Sequence, residues 1–162
     1  MRKESERGCA LVGAAFIDDA LGELLAAHFV DDKITRRLLT YPGPCSTLSA
    51  RCDLAYCLGM FGRDIYMDVR GIIKIRNQFA HHRFGPGFED EAIATSCRNL
   101  NTIQQMRARG TDFACVGART MFIMTAGAVI LALDVAKYSV QRCQRGPGWA
   151  EIPQPPINPL GY

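Results

Sequence analysis

Apolar positions recur at helical spacing along most of the chain. Val12, Phe16, Ala20, Leu24 and Ala27 fall three or four residues apart, and Leu21, Leu25 and His28 widen the same stripe. The stretch has no proline and few β-branched residues, so it predicts a long first helix from Glu4 to Phe29. Asp32 to Leu39 predicts a short helix, and Tyr41-Pro42-Gly43-Pro44 breaks the chain after it. Ser46 or Thr47 can cap a third helix running to about Leu58. Gly59 and Gly62 flank a tight connection, after which Asp64 can cap a helix reaching about His81. Ile65, Val69, Ile72, Ile73 and Phe79 mark its apolar face. Glu89 to Leu100 reads as helical, with a continuation to about Met106, and a last helix runs from about Asp112 to Gln141. No strand-like alternation and no internal repeat interrupts this pattern. It predicts an all-α, single-domain bundle of five to six helices over residues 1–144, followed by a proline-rich tail over 145–162.

Composition narrows the class. A chain of 162 residues with 48% hydrophobic content can bury a core without staples. The formal net charge of +3 is too small to signal nucleic-acid binding, although 15 of the 19 basic residues are arginine, the side chain best shaped for phosphates and carboxylates. Met121 to Leu133 is apolar apart from Thr125, but its 13 residues fall short of the roughly 20 a membrane span needs. It predicts a buried core helix and no membrane association. The charged stretch from Met1 to Arg7 lacks the apolar core of a signal peptide, which places the protein in the cytoplasm. The seven cysteines are then reduced, and they are expected as buried, inert small hydrophobes. Cys52, Cys57 and the two adjacent histidines match no usual zinc spacing. Asp19 and Glu23, four apart, read as a solvated acidic face. No metal and no cofactor is expected.

Lys74-Ile75-Arg76-Asn77-Gln78-Phe79-Ala80-His81-His82 carries the candidate chemistry. Ile65, Val69 and Ile72 step by four and three, and the series continues onto Arg76. A guanidinium in an apolar stripe needs a carboxylate, carbonyls or a phosphate, and Asp53 is one candidate partner. Asn77 and His81 share a face, whereas Arg76 and His81 lie about 140° apart on a helix of roughly 3.6 residues per turn. They converge on one atom only if the helix unwinds near Ala80 or a second protomer contributes its copy. Two readings stand at this point. In one, Arg76, Asn77 and His81 form a catalytic set in which imidazole moves protons and arginine steadies charge on a cleaved phosphodiester. In the other, Arg76 pairs internally, and Asn77 and His81 satisfy helix-terminal groups. Asp53, Arg76 and His82 are the candidate binding residues.

Arg76-Asn77-x-x-Ala80-His81 resembles the R-N-x-x-x-H form of the motif in HEPN domains. Those helical bundles include metal-independent RNases with the motif in a dimer cleft. A wider likeness spans roughly residues 4 to 140. Glu4-Ser5-Glu6-Arg7-Gly8, Leu24-Leu25, Ser49-Ala50-Arg51-x-Asp53-Leu54-Ala55-Tyr56-x-Leu58-Gly59 and Ile75-Arg76-Asn77-x-Phe79-Ala80-His81 together resemble the mannitol operon repressor family. Cys45, Cys52, Cys57 and the proline-rich tail depart from the family pattern.

The family resemblance implies an intracellular, all-helical negative regulator of transcription, without an obvious DNA-reading helix. Three functions follow for comparison. The first is a regulator acting through a protein partner. The second is a HEPN-type endoribonuclease with RNA as substrate, built on Arg76, Asn77 and His81; a homodimer is expected from the motif geometry and from the family resemblance alike. The third is a direct DNA-binding repressor. Its only support is the helix–turn–helix-like piece from Thr47 to Phe79, where an ordinary helix hairpin makes better use of Ile65, Val69, Ile72 and Ile73.

Overall fold

The computed structural model describes residues 5–81, 87–144 and 146. Among them are seven helices: α1 (Glu6–His28), α2 (Lys33–Leu39), α3 (Leu48–Cys57), α4 (Arg63–His81), α5 (Glu91–Arg98), α6 (Asn101–Ala108) and α7 (Ala118–Ser139), and no strand. Local signals start most of them. The side chains of Ser5, Asp32, Thr47 and Asp90 accept the orphan amides of Gly8, Ile34, Ala50 and Ala92. Gly59, at φ +70°, supplies the left-handed residue that closes the turn after α3.

The stretch expected as one helix from Glu89 to Met106 divides at Asn99 and Leu100, which lifts the helix count from six to seven. Leu100, at the start of α6, has no side-chain cap to give. Asp68 of α4, 2% exposed, gives one instead. Its carboxylate accepts from the Thr102 amide at 3.0 and 3.2 Å and from the Thr102 hydroxyl at 2.6 Å. A carboxylate at a helix N-terminus is the arrangement that both the free amides and the helix dipole favour. Burial still raises the Asp68 carboxyl above the ordinary aspartate range, against the lowering by those hydrogen bonds.

The core lies between α1, α4 and α7, with α3, α5 and α6 closing its sides. Phe79 of α4, Phe88 of the following loop and Phe122 of α7 are fully buried and meet ring to ring at 4.9 and 5.5 Å. Each contributes on the order of 1.5–3 kcal/mol by leaving water. The Glu6 carboxylate of α1 accepts the Phe88 amide at 3.1 Å, and so fixes the trio's middle ring to the start of the chain.

Two expectations change here. Helix α7 is only in part a core helix. One face, Met121, Phe122, Thr125, Ala126, Val129 and Leu133, is buried, while Met124, Leu131, Val135 and Tyr138 face solvent on the other. By length and composition α7 is apolar enough to cross a membrane, though a third of its most apolar window is packed inside the bundle. The cysteines also divide. Cys9, Cys52 and Cys97 are buried as expected, Cys45 is half-buried, and Cys57, Cys115 and Cys143 are exposed. Burial pushes the Cys52 and Cys97 thiols up to about 12, which keeps both protonated.

Candidate binding cleft

Two arginines organise the region where α1, α3 and α4 meet. Arg51, on α3, is the half-buried one, its side chain 15% exposed. It donates to the Cys45 carbonyl at 3.2 Å, the Leu39 carbonyl at 2.7 Å, and the backbone and carboxylate oxygens of Asp18 at 2.9 and 2.8 Å. One guanidinium thereby joins α1, the end of α2 and the loop before α3. Burial raises the Asp18 carboxyl, and the nearby Arg51 charge only partly offsets it. The loop it holds passes so close to α2 that a Cβ on Gly43 would sit 2.1 Å from the Arg37 carbonyl oxygen and 2.5 Å from that of Leu38. Only glycine fits there.

Arg76 is the open one, and this corrects its placement in the apolar stripe. The stripe of α4 runs Val69, Ile72, Ile75 and Phe79, all fully buried. From Ile72 the next inward position is three residues on, at Ile75, so Arg76 turns outward and is exposed. Its guanidinium donates to the Asn77 side-chain oxygen at 3.0 Å. Asp53 is not its partner. Asp53 is exposed, accepts from the Tyr66 hydroxyl at 3.1 Å and lies 3.7 Å from Arg70, which in turn donates to Ser49 at 2.5 Å. The Asp53 hydrogen bond is also the largest cause of a raised Tyr66 phenol.

Arg76 and Asn77 stand on the rim of a surface cleft of about 670 Å³. Leu11, Ala14 and Ile73 give it an apolar floor. Ser46, Thr47 and Ser49, at the start of α3, and Asp18 of α1 line the other side. Arg76 is close enough to Asp18 to pull its carboxyl down slightly. The combination of a fixed guanidinium, an amide, hydroxyls and a helix start can hold a polar or anionic group on a partner.

No histidine lines the cleft among the described residues, and Asp18 is occupied by Arg51. Helix α4 runs unbroken to His81, with the Ala80 carbonyl accepting from Arg7 at 3.5 Å. Arg76 and His81 therefore sit five residues apart on one continuous helix. The His81 side chain and all of His82 lie outside the described residues, as does the tail apart from Gly146. No group of three metal-ligating side chains forms among the described residues. The Glu23 carboxylate of the expected acidic face pairs with Lys137 at 2.6 Å.

Sequence reasoning passed over three features: Arg51, Asp68 and a contact between His28 and Cys143. Only Arg51 left a usable trace. The carbonyl-rich Pro42–Cys45 turn just before it needs donors, and a nearby arginine is well placed to supply them.

The described residues form an all-α bundle with a polar-rimmed surface cleft between α1, α3 and α4. A model of the mannitol repressor family matches residues 3–130, and the chain belongs to that family. Among solved structures, it is similar to the Escherichia coli chain in an X-ray structure of the MtlR–HPr complex, with a TM-score of 0.65 and 19% identity over 82% of this chain and 92% of that one. A comparison with curated proteins finds no match.

Proposed function

We propose that this protein is an intracellular negative regulator of transcription that works by binding a protein partner rather than by reading DNA. The observation that carries the reading is the fold shared with MtlR, a chain crystallised in complex with another protein, HPr. Membership of the mannitol repressor family supplies the regulatory context. The helices that could form a DNA-reading pair support the same view. The apolar face of α4 is committed to the core and is not free to enter a groove, while Arg63, Asp64, Met67, Arg70, Lys74 and Arg76 are exposed. The cleft rim at Arg76 and Asn77 is the contact point we assign to the partner. Asp53, tied to Tyr66 and Arg70, supports that surface from the side.

Calorimetric titration of the purified chain with HPr, alongside gel-shift assays on promoter DNA at low salt, tests this directly. Saturable protein binding without DNA binding is the expected result. DNA binding that falls steeply with salt, in the absence of any protein binding, would overturn it.

A further inference from the structure

The chain leaving α7 turns back onto the end of α1, and His28 makes three contacts with it. The Cys143 amide donates to the His28 carbonyl at 2.6 Å. The His28 ring meets the Gln141 carbonyl through Nδ1 at 2.9 Å and the Cys143 Sγ through Nε2 at 3.3 Å. A carbonyl oxygen only accepts, so Nδ1 must carry the ring proton. In the neutral ring Nε2 is then a bare acceptor, directed at the thiol. This is the arrangement that activates a cysteine: nucleophile, base, and a third group fixing the base's tautomer. Cys143 is also exposed, whereas Cys52 and Cys97 are sealed in the core. Its position at the end of α1 sets it apart from the cleft at Arg76.

We infer that Cys143 and His28 form a thiol-exchange site at which low-molecular-weight disulfides modify the protein. The Cys143 proton passes to His28 Nε2, and the thiolate attacks one sulfur of the disulfide. A new S–S bond forms to Cys143 as the old one breaks, and the departing thiolate takes the proton back from His28. One disulfide is consumed and one thiol released, with no further oxidant. The adduct displaces the Sγ from its 3.3 Å contact with the ring and so loosens the segment that leads into residues 145–162. Excess free thiol reverses the reaction.

The test uses the full chain with glutathione disulfide at neutral pH, quenched by alkylation and read cysteine by cysteine by mass spectrometry. Cys57 and Cys115, also exposed, are internal references. Cys143 is expected to form its mixed disulfide on the order of tenfold faster than either, in keeping with base activation. His28→Gln should bring Cys143 down to the reference rates while leaving Cys57 and Cys115 unchanged. Equal rates at all three positions in the unaltered protein would overturn the proposal, and so would a His28→Gln variant that keeps the fast rate. Cys52 and Cys97 report folding, since both become reactive if the variant opens; the ratios in the unaltered protein then decide alone.

Discussion

Arg51 and Arg76 occupy neighbouring helices on the same side of the bundle and have opposite fates. Arg51 is enclosed and donates to oxygens from three separate stretches of chain. Arg76 is exposed and touches its own neighbour, Asn77. The difference lies in what the surroundings ask for. Around Arg51 the Leu39 and Cys45 carbonyls face the guanidinium, and each of them needs a donor. Around Arg76 the groove is open, and the guanidinium meets only the Asn77 side chain of its own helix. An enclosed arginine thus serves architecture, and an exposed one at a cleft is available to a partner.

Substitutions can break this contrast, and the largest effect belongs to the enclosed residue. Arg51→Met should lower stability by about 2–4 kcal/mol in urea unfolding, because it strands the Leu39 and Cys45 carbonyls and takes from half-buried Asp18 the cation it is bonded to. Gly43→Ala attacks the same junction from the backbone side and should cost about 2–3 kcal/mol by the same measurement, since its Cβ meets carbonyl oxygens that cannot move away. Arg76→Ala should fall on the other side of the contrast. Its stability should stay within about 0.5 kcal/mol of the parent. Its affinity for the protein partner should drop on the order of tenfold, roughly 1.4 kcal/mol, by calorimetry. An Arg76→Ala variant that unfolds easily yet binds normally would erase the distinction.

The smallest effect concerns pH. The Asp68 carboxyl is raised from 3.8 by burial, so the folded chain holds that proton to higher pH than the unfolded chain does. The stability linked to it is fully present below the ordinary aspartate value and is lost as pH rises through the raised one. Urea midpoints measured across the acidic range should therefore show a shallower loss with rising pH in Asp68→Asn than in the parent. A residual slope should remain from Asp18, which is raised as well.

The same two arginines show what the sequence makes legible. The helices were readable because their causes are local: Thr47 lies three residues before the Ala50 amide it caps, and Asp32 two before Ile34. The family segments were readable too, and the match over residues 3–130 covers all of them. The direction of Arg76 was not. From Ile72, a step of three reaches Ile75 and a step of four reaches Arg76, and helical periodicity permits both. Packing against α1 and α7 decides between them, and that information is distant in sequence. Arg51 was obscured for a related reason, since the oxygens of Asp18 lie 33 positions away. Asp53 was given the wrong arginine because Arg70, closer along α4, was not weighed.

The cap that Asp68 lends to α6 has a consequence for how this chain can vary. A helix that carries its own cap can slide by a residue and take its start signal with it. Helix α6 cannot, because its start is fixed by a side chain on α4. An inserted or deleted residue between Arg98 and Thr102 would carry the Thr102 amide and hydroxyl away from that carboxylate together. Length changes in descendants of this sequence should therefore gather in the connections on either side of the α5–α6 pair and leave the Asn99–Leu100 joint untouched.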